Sequence, residues 1–324
     1  MNTPGPNLPL LATAANCAGR TFVITGANTG LGYQATKHLV TLGAARVIIA
    51  VRNLPAGEKA KKEIEAATGR TGVIDVWDID LESYDSVKAF AKRAATDLDR
   101  IDALVQNAGV FLTTNVRSGE HHLAVKVNVF STFLLTVLLL PKLRDTAGKF
   151  GVVPHVSILA SSMGFYSKEE WDSVKEDPLV KVDAETENIM KIYPITKIID
   201  ILLVRHLAPM MPVASTGVVM NAICPGLCGT ELSRHASPEF AAVLAKRMAL
   251  FGRTAEEGSR CLLHGMFAGT ESHGRFLESC RIAEDDLPAW LTGEEGMTAQ
   301  ERCGEALVKE LESVEPGCLK KILE

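Results

Sequence analysis

Residues 20–32 read Arg20-Thr21-Phe22-Val23-Ile24-Thr25-Gly26-Ala27-Asn28-Thr29-Gly30-Leu31-Gly32, an apolar run that breaks into three glycines and then into a helical pattern. The run predicts a buried strand, and the glycines predict a tight turn that backbone and ligand can approach closely. A helix that starts there aims its unpaired amides and positive dipole end at the turn, which suits a pyrophosphate. The spacing is Gly-x-x-x-Gly-x-Gly rather than Gly-x-Gly-x-x-Gly, so this segment alone leaves a plain tight connection open.

Outward from this turn, short β-branched runs alternate with longer segments of helical period, the pattern of a parallel sheet covered on both faces. The strands are expected at 20–25, 46–51, 72–78, 103–107, 152–159, 217–223 and 274–278. Seven strands with intervening helices suit one doubly wound α/β domain over residues 20–283. Residues 1–19 read as an irregular leader and 284–324 as a C-terminal extension with a helix near 299–312. Residues 166–191 carry eight acids and four lysines and read as an exposed insertion on the sheet's rim. The stretch 227–253 reads as a substrate lid.

The chain has 324 residues and a net charge of -5, from 34 basic and 39 acidic residues, which gives no global electrostatic case for nucleic acid or an anionic membrane. Seven scattered cysteines form neither a disulfide framework nor paired zinc spacing, so no metal site is expected and reduced thiols in the cytoplasm are. The longest apolar run, Val129 to Pro141, is too short to span a bilayer. His121 and His122 are adjacent on an expected helix and point different ways, which makes them poor co-ligands.

The second strand ends at Arg52-Asn53 without an acid, where a cation would pair with a ribose 2′-phosphate. A solvated surface arginine is the alternative. Asp80 follows the third strand and either meets an adenine edge or caps the next helix. Asn107-Ala108-Gly109 closes the fourth strand with small residues that let a cofactor near the backbone, or simply make a turn. Three of the four tyrosines have a lysine four residues on, at Tyr33/Lys37, Tyr84/Lys88 and Tyr193/Lys197. Only Tyr193 opens a helix after a strand that ends in Ser161-Ser162. The shared helix face puts an ammonium beside a phenol and lowers its pKa, and the serine hydroxyl can orient a carbonyl oxygen against that phenol.

This ordered set, with Asn128 in Lys126-Val127-Asn128-Val129-Phe130 and Pro225-Gly226-x-x-x-Thr230, resembles the short-chain dehydrogenase/reductase family over about residues 20–278. The 31-residue gap from Ser162 to Tyr193, the Arg52-Asn53 ending and Glu271-Ser272-His273-Gly274-Arg275-Phe276 resemble its retinol-dehydrogenase-like branch and fungal secondary-metabolism relatives. The resemblance implies a Rossmann-type fold and an oxidoreductase that prefers NADP(H) over NAD(H). It implies Tyr193 as general acid, Lys197 lowering its pKa and binding the nicotinamide ribose, Ser162 holding the carbonyl and Asn128 anchoring a relay water. Cofactor contacts would come from Gly26, Asn28, Thr29, Gly30, Leu31 and Gly32 at the pyrophosphate, and from Arg52, Asn53, Asp80, Leu81, Asn107, Ala108 and Gly109 around the adenosine. Pro225, Gly226 and Thr230, with Tyr193 and Lys197, would contact the nicotinamide end. Met163, Phe165 and Leu232, with Phe240 and Met248 beside them, suggest a bulky apolar substrate. The apolar stretches Phe133–Leu140 and Ile198–Leu207 correspond to helices through which the family commonly forms homodimers. A redox-neutral cyclase, isomerase or dehydratase using the same site, and a non-catalytic NADP-binding regulator, are the alternative readings.

Overall fold

The parallel arrangement follows from strands that are apolar on both faces and therefore need helices above and below. The structure is a computed structural model that describes residues 7–234 and 236–320; residues 1–6 of the leader, residue 235 of the lid and residues 321–324 of the tail lie outside the described residues. The strands are β1 (Thr21–Thr25), β2 (Arg46–Val51), β3 (Ile74–Asp78), β4 (Ala103–Gln106), β5 (His155–Leu159), β6 (Val219–Cys224), β7 (Phe276–Glu278) and β8 (Arg281–Ile282), in sheet order β8-β7-β6-β5-β4-β1-β2-β3. The seven expected strands are all present and parallel, and the added β8 is a two-residue antiparallel edge. The order reverses between β1 and β4, which opens a crevice at their carboxyl ends.

Helices α1 (Gly30–Thr41), α2 (Leu54–Thr68), α3 (Tyr84–Asp97), α4 (Thr132–Phe150), α5 (Ile192–Leu207), α6 (Pro238–Phe251), α7 (Ala255–Phe267) and α8 (Glu294–Val314) complete the chain. Their ends are set locally: Asn53 caps α2 through the Ala56 amide at 3.0 Å, and Thr254 and Glu257 form a capping box on α7. Leu39, Ile64 and Leu262 pack from α1, α2 and α7 on one face of the sheet, and Phe90, Leu135 and Ile199 pack from α3, α4 and α5 on the other.

The periphery is packed more closely than its composition suggests. The segment 166–191 is not simply an exposed insertion: it folds into two short helices, Lys168–Val174 and Pro178–Asp183, that bury Trp171, Val174, Leu179 and Val182. The C-terminal helix α8 packs along α5 and places Ala299, Cys303, Leu307 and Leu311 in the same core. With α8 over α5 and α3 against α4, the apolar residues of the stretches Phe133–Leu140 and Ile198–Leu207 are largely buried within the chain. The leader is anchored too, since the Leu8 carbonyl accepts from Arg260 and Leu8 is buried. The helical stretch Leu123–Phe150 is long and apolar enough to cross a membrane, but 83% of its most apolar window is buried inside the protein, as in a core helix.

His121 and His122 form one strand of a small hairpin rather than a helix. His121 Nδ1 meets Asp183 Oδ2 at 2.7 Å and Nε2 meets Glu310 Oε1 at 3.0 Å, so one imidazole joins hairpin, insertion and α8. The hydrogen bonds to Asp183 and Glu310 hold its pKa up at about 9. A pKa raised by folding contributes stability that is complete below the unfolded value near 6.5 and is lost as pH rises through about 9. His121→Ala is therefore expected to cost about 2 kcal/mol at pH 6, with the deficit shrinking above pH ~9, as read from Tm against pH.

Candidate active site

The candidate residues come together at the carboxyl ends of the parallel strands, around the crevice between β1 and β4. Gly26 follows β1 with φ +66, in the left-handed region, and a Cβ there would stand 3.0 Å from Ala108 Cα. Asn107 locks the two loops together by donating Nδ2 to the Thr25 carbonyl at 2.8 Å, while the Ala108 amide donates to Thr25 Oγ1 at 3.0 Å. Thr29, the N-cap of α1, makes no side-chain capping bond, so the first-turn amides keep their capacity for an anion. Thr230 closes over this turn, its Cγ2 lying 3.4 Å from where a Gly30 Cβ would be. A glycine cradle, open amides and the dipole end fit a dinucleotide pyrophosphate.

The adenosine side is more mixed. Arg52 is 67% exposed and only loosely paired, 4.0 Å from Asp80 and 3.7 Å from Glu82, so its guanidinium can turn to a phosphate at little cost. Asp80 does not cap α3: Ser83 does, and Asp80 Oδ1 instead accepts from the Glu82 amide at 3.0 Å. The Asn53 side chain is taken up by the α2 cap, and Leu81 is buried in the core with its carbonyl accepting from Ser131 Oγ at 2.6 Å.

On the other side of the crevice a cavity of about 340 Å³ is lined by Ser162, Tyr193, Met163, Leu232, Phe240 and Glu278 among others. Phe111 stands edge-on to Tyr193 at 5.3 Å and stacks on Phe240 of α6 at 5.4 Å. Phe165 is not at the cavity; it turns into the core against Phe276 at 5.3 Å, and Met248 likewise falls outside the lining. Gly164 brings the serine turn onto α5, since a Cβ there would lie 2.5 Å from Ile198 Cγ1. Ser161 caps its own turn by accepting from the Met163 amide at 3.2 Å, whereas Ser162 Oγ donates to Glu278 Oε1 at 2.8 Å. That difference separates the two serines.

Lys197 Nζ donates to the Leu159 carbonyl at 2.7 Å and pairs with Asp200 at 2.9 Å, both residues being buried. Burial lifts the Asp200 carboxyl to about 6 against the opposing pull of Lys197. The Tyr193 phenol is raised, by burial first and then by Cys224 and Asp200. This reverses the expected direction: Asp200 offsets the ammonium, and burial dominates. Asn128 lies in a π-helical turn, Lys126–Ser131, and accepts from the Val110 amide at 2.9 Å while donating to the Val110 carbonyl at 3.1 Å and to Thr196 Oγ1 at 3.2 Å. It thus couples the loop after β4 to α5, with Gly109 packed at the Asn128–Lys197 junction.

Comparison with known proteins agrees with this geometry. A family model described as "short chain dehydrogenase" matches residues 20–175. A short chain dehydrogenase/reductase of Cryptosporiopsis sp., dmxR8, is 38% identical over 93% of this chain and 93% of its own length. The chain belongs to the short-chain dehydrogenase/reductase family. A Penicillium roqueforti member, the short-chain dehydrogenase anuD, is 35% identical over 92% of this chain and 79% of its own length. Among solved structures, the Pseudomonas aeruginosa RhlG/NADP complex superposes with TM-score 0.61 at 25% identity, covering 81% of this chain and 94% of that one. Levodione reductase superposes at 0.63 and 17% identity over 81% and 96%, a likeness of fold.

Four contributors had no sequence signal that set them apart. Asp200 looked like one more residue of an apolar helix. Arg253, buried between α6 and α7, donates Nη1 to the Pro225 carbonyl at 2.8 Å and Nη2 to Ser279 Oγ at 2.9 Å, clamping that connection to the segments after β6 and β7. Glu278 reaches the cavity, and the buried Cys224 reaches Glu278, only because β6 and β7 are neighbours. Gly26→Ala is expected to cost about 1–2 kcal/mol of stability for the left-handed backbone and to weaken nucleotide binding about tenfold or more, checked by Tm and by a fluorescence titration with NADPH.

Proposed function

We propose that the chain is an NADP(H)-preferring oxidoreductase that interconverts a ketone or aldehyde and an alcohol on a bulky apolar small molecule, working in the cytoplasm and in secondary metabolism. The observation that carries the reading is the placement of Ser162 and Tyr193 on the wall of one largely apolar cavity, with Lys197 four residues along the Tyr193 helix and the glycine turn across the crevice. The seven free cysteines agree with a reducing compartment. Exposed Arg52 at the tip of β2 supports NADP(H).

A bound nicotinamide would supply or accept the hydride. Ser162 turns its hydroxyl from Glu278 to the substrate oxygen and fixes the carbonyl plane. Tyr193, whose raised pKa keeps it protonated, gives its phenolic proton to that oxygen as the carbonyl is reduced. Lys197, held against the Leu159 carbonyl and Asp200, presents a fixed positive charge beneath the phenol and offsets the charge left on it. Phe111 and Phe240 keep water from the reacting face. Presence of the whole Ser162, Tyr193 and Lys197 set favours turnover over a purely regulatory role, and consumption of NADPH with bulky ketones separates the redox from the redox-neutral reading.

Tyr193→Phe is expected to lower kcat by about 10²–10⁴, the usual worth of a positioned acid, while the Kd for NADPH changes little; retention of most activity would overturn the assignment. Arg52→Glu is expected to lower kcat/KM with NADPH about tenfold or more relative to NADH, in keeping with a lost charge-assisted bond. Unchanged discrimination between the two nucleotides would reduce Arg52 to a surface residue.

A further inference from the structure

The cavity wall holds one carboxylate that the proton-transfer set leaves unexplained. Glu278 ends β7, next to the end of β6, and is half-buried on the cavity wall. Its Oε1 accepts from Ser162 Oγ at 2.8 Å and from the Cys224 thiol at 3.1 Å, and the two donors lie 3.5 Å apart. Cys224 is buried, and burial with the Glu278 charge keeps its thiol protonated and donating. Oε1 is thereby pinned, whereas Oε2 makes no hydrogen bond or ion pair among the described residues. The cavity that Glu278 lines is largely apolar, with Met163, Leu232 and Phe240, while Arg247 and Ser233 are among its polar lining residues. A carboxylate oxygen in such a wall is a strong acceptor without a donor, and a ligand that brings one gains more than it would in water.

Resting on the reading of Ser162 and Tyr193 as the carbonyl site, we propose that Glu278 is a substrate-recognition residue that selects ketones carrying a hydroxyl on the carbon next to the carbonyl. Ser162 has a single hydroxyl proton, and in the structure it goes to Glu278. A plain ketone must compete with a carboxylate for that proton. An α-hydroxy ketone brings its own donor: its hydroxyl donates to the open Glu278 Oε2, which shares out the carboxylate charge and eases the turn of the Ser162 hydroxyl to the carbonyl one carbon away. The substrate's own donor thus completes the carbonyl-binding arrangement. The same carboxylate repels substrates that carry a carboxylate or phosphate at that carbon. Sites that present a buried acceptor discriminate strongly against analogues lacking the matching donor.

The test uses the full chain and two probes, 1-phenylethanone and 2-hydroxy-1-phenylethanone, in two measurements: kcat/KM with NADPH, and Kd for the NADP⁺-loaded protein by calorimetry. The wild type is expected to favour the hydroxy ketone by about ten- to hundredfold in Kd and, where turnover occurs, in kcat/KM, the worth of one hydrogen bond to a charged acceptor. In Glu278→Gln, which preserves the shape and an acceptor for Ser162, and in Glu278→Leu, the ratio is expected to fall to within about threefold. The glutamine variant keeps the test intact should the leucine variant fail to fold. Equal affinity of the wild type for both probes, no measurable affinity for either, or a preference that survives in Glu278→Gln overturns the proposal. Reduction of neither probe counts against the reductase reading alone, because the ratio of binding constants still decides the role of Glu278.

Discussion

The site depends on where one buried ammonium can go. Lys197 sits on α5 beneath the sheet's carboxyl edge, nearly closed to water, and a charge taken out of water must find compensating groups nearby. It finds two, the Leu159 carbonyl at the end of β5 and the Asp200 carboxylate one turn on. Both bonds are needed, since removing one partner of such a pair leaves an uncompensated charge at a cost of about 3–5 kcal/mol. The consequence is geometric. Tying α5 to the last residue of β5 fixes Tyr193, one turn before Lys197, relative to Ser162, three residues after Leu159. Gly164 completes the contact by letting the serine turn touch Ile198.

The electrostatics follow from the same tie. An ammonium aimed at a phenol would make it a stronger acid; here Asp200 shares the ammonium and burial governs, so Tyr193 stays protonated. That state suits delivery of a proton to a carbonyl. Around this fixed centre, Arg253 anchors the end of the α6 segment to Pro225 and Ser279, Phe240 reaches from α6 to Phe111, and Phe111 reaches to Tyr193. The insertion and α8 reinforce α5 from outside, with His121 joining them through two carboxylates.

Much of this was legible in the residues. The strands fell within three positions of their expected bounds because apolar runs between glycine and polar breaks mark buried parallel strands directly. The glycine turn, Asn107 and Ser162 stood just past the carboxyl ends of strands, as the alternation of strand and helix predicts, and Tyr193 and Lys197 shared one face of α5. The periphery was misjudged for a physical reason. Charge density in 166–191 marked it as solvated, yet Trp171, Val174, Leu179 and Val182, on its two short helices, bury into the core that α8 shares, and no local pattern tells which distant helix will cover them. The same blindness put Phe165 in the cavity.

By itself, then, the sequence determined the order of strands and helices, the turn that can cradle a pyrophosphate and the phenol–lysine pair on one helix face, because each is set by backbone preference and side-chain period within a few residues. Only the tertiary structure decided that Ser161 caps its own turn while Ser162 bonds Glu278, that burial, with Asp200 sharing the Lys197 charge, raises rather than lowers the pKa of Tyr193, and that Glu278 stands 2.8 Å from Ser162 across 116 positions of chain. Those depend on burial and on which strands are neighbours, and both are properties of the packed sheet rather than of any stretch of sequence.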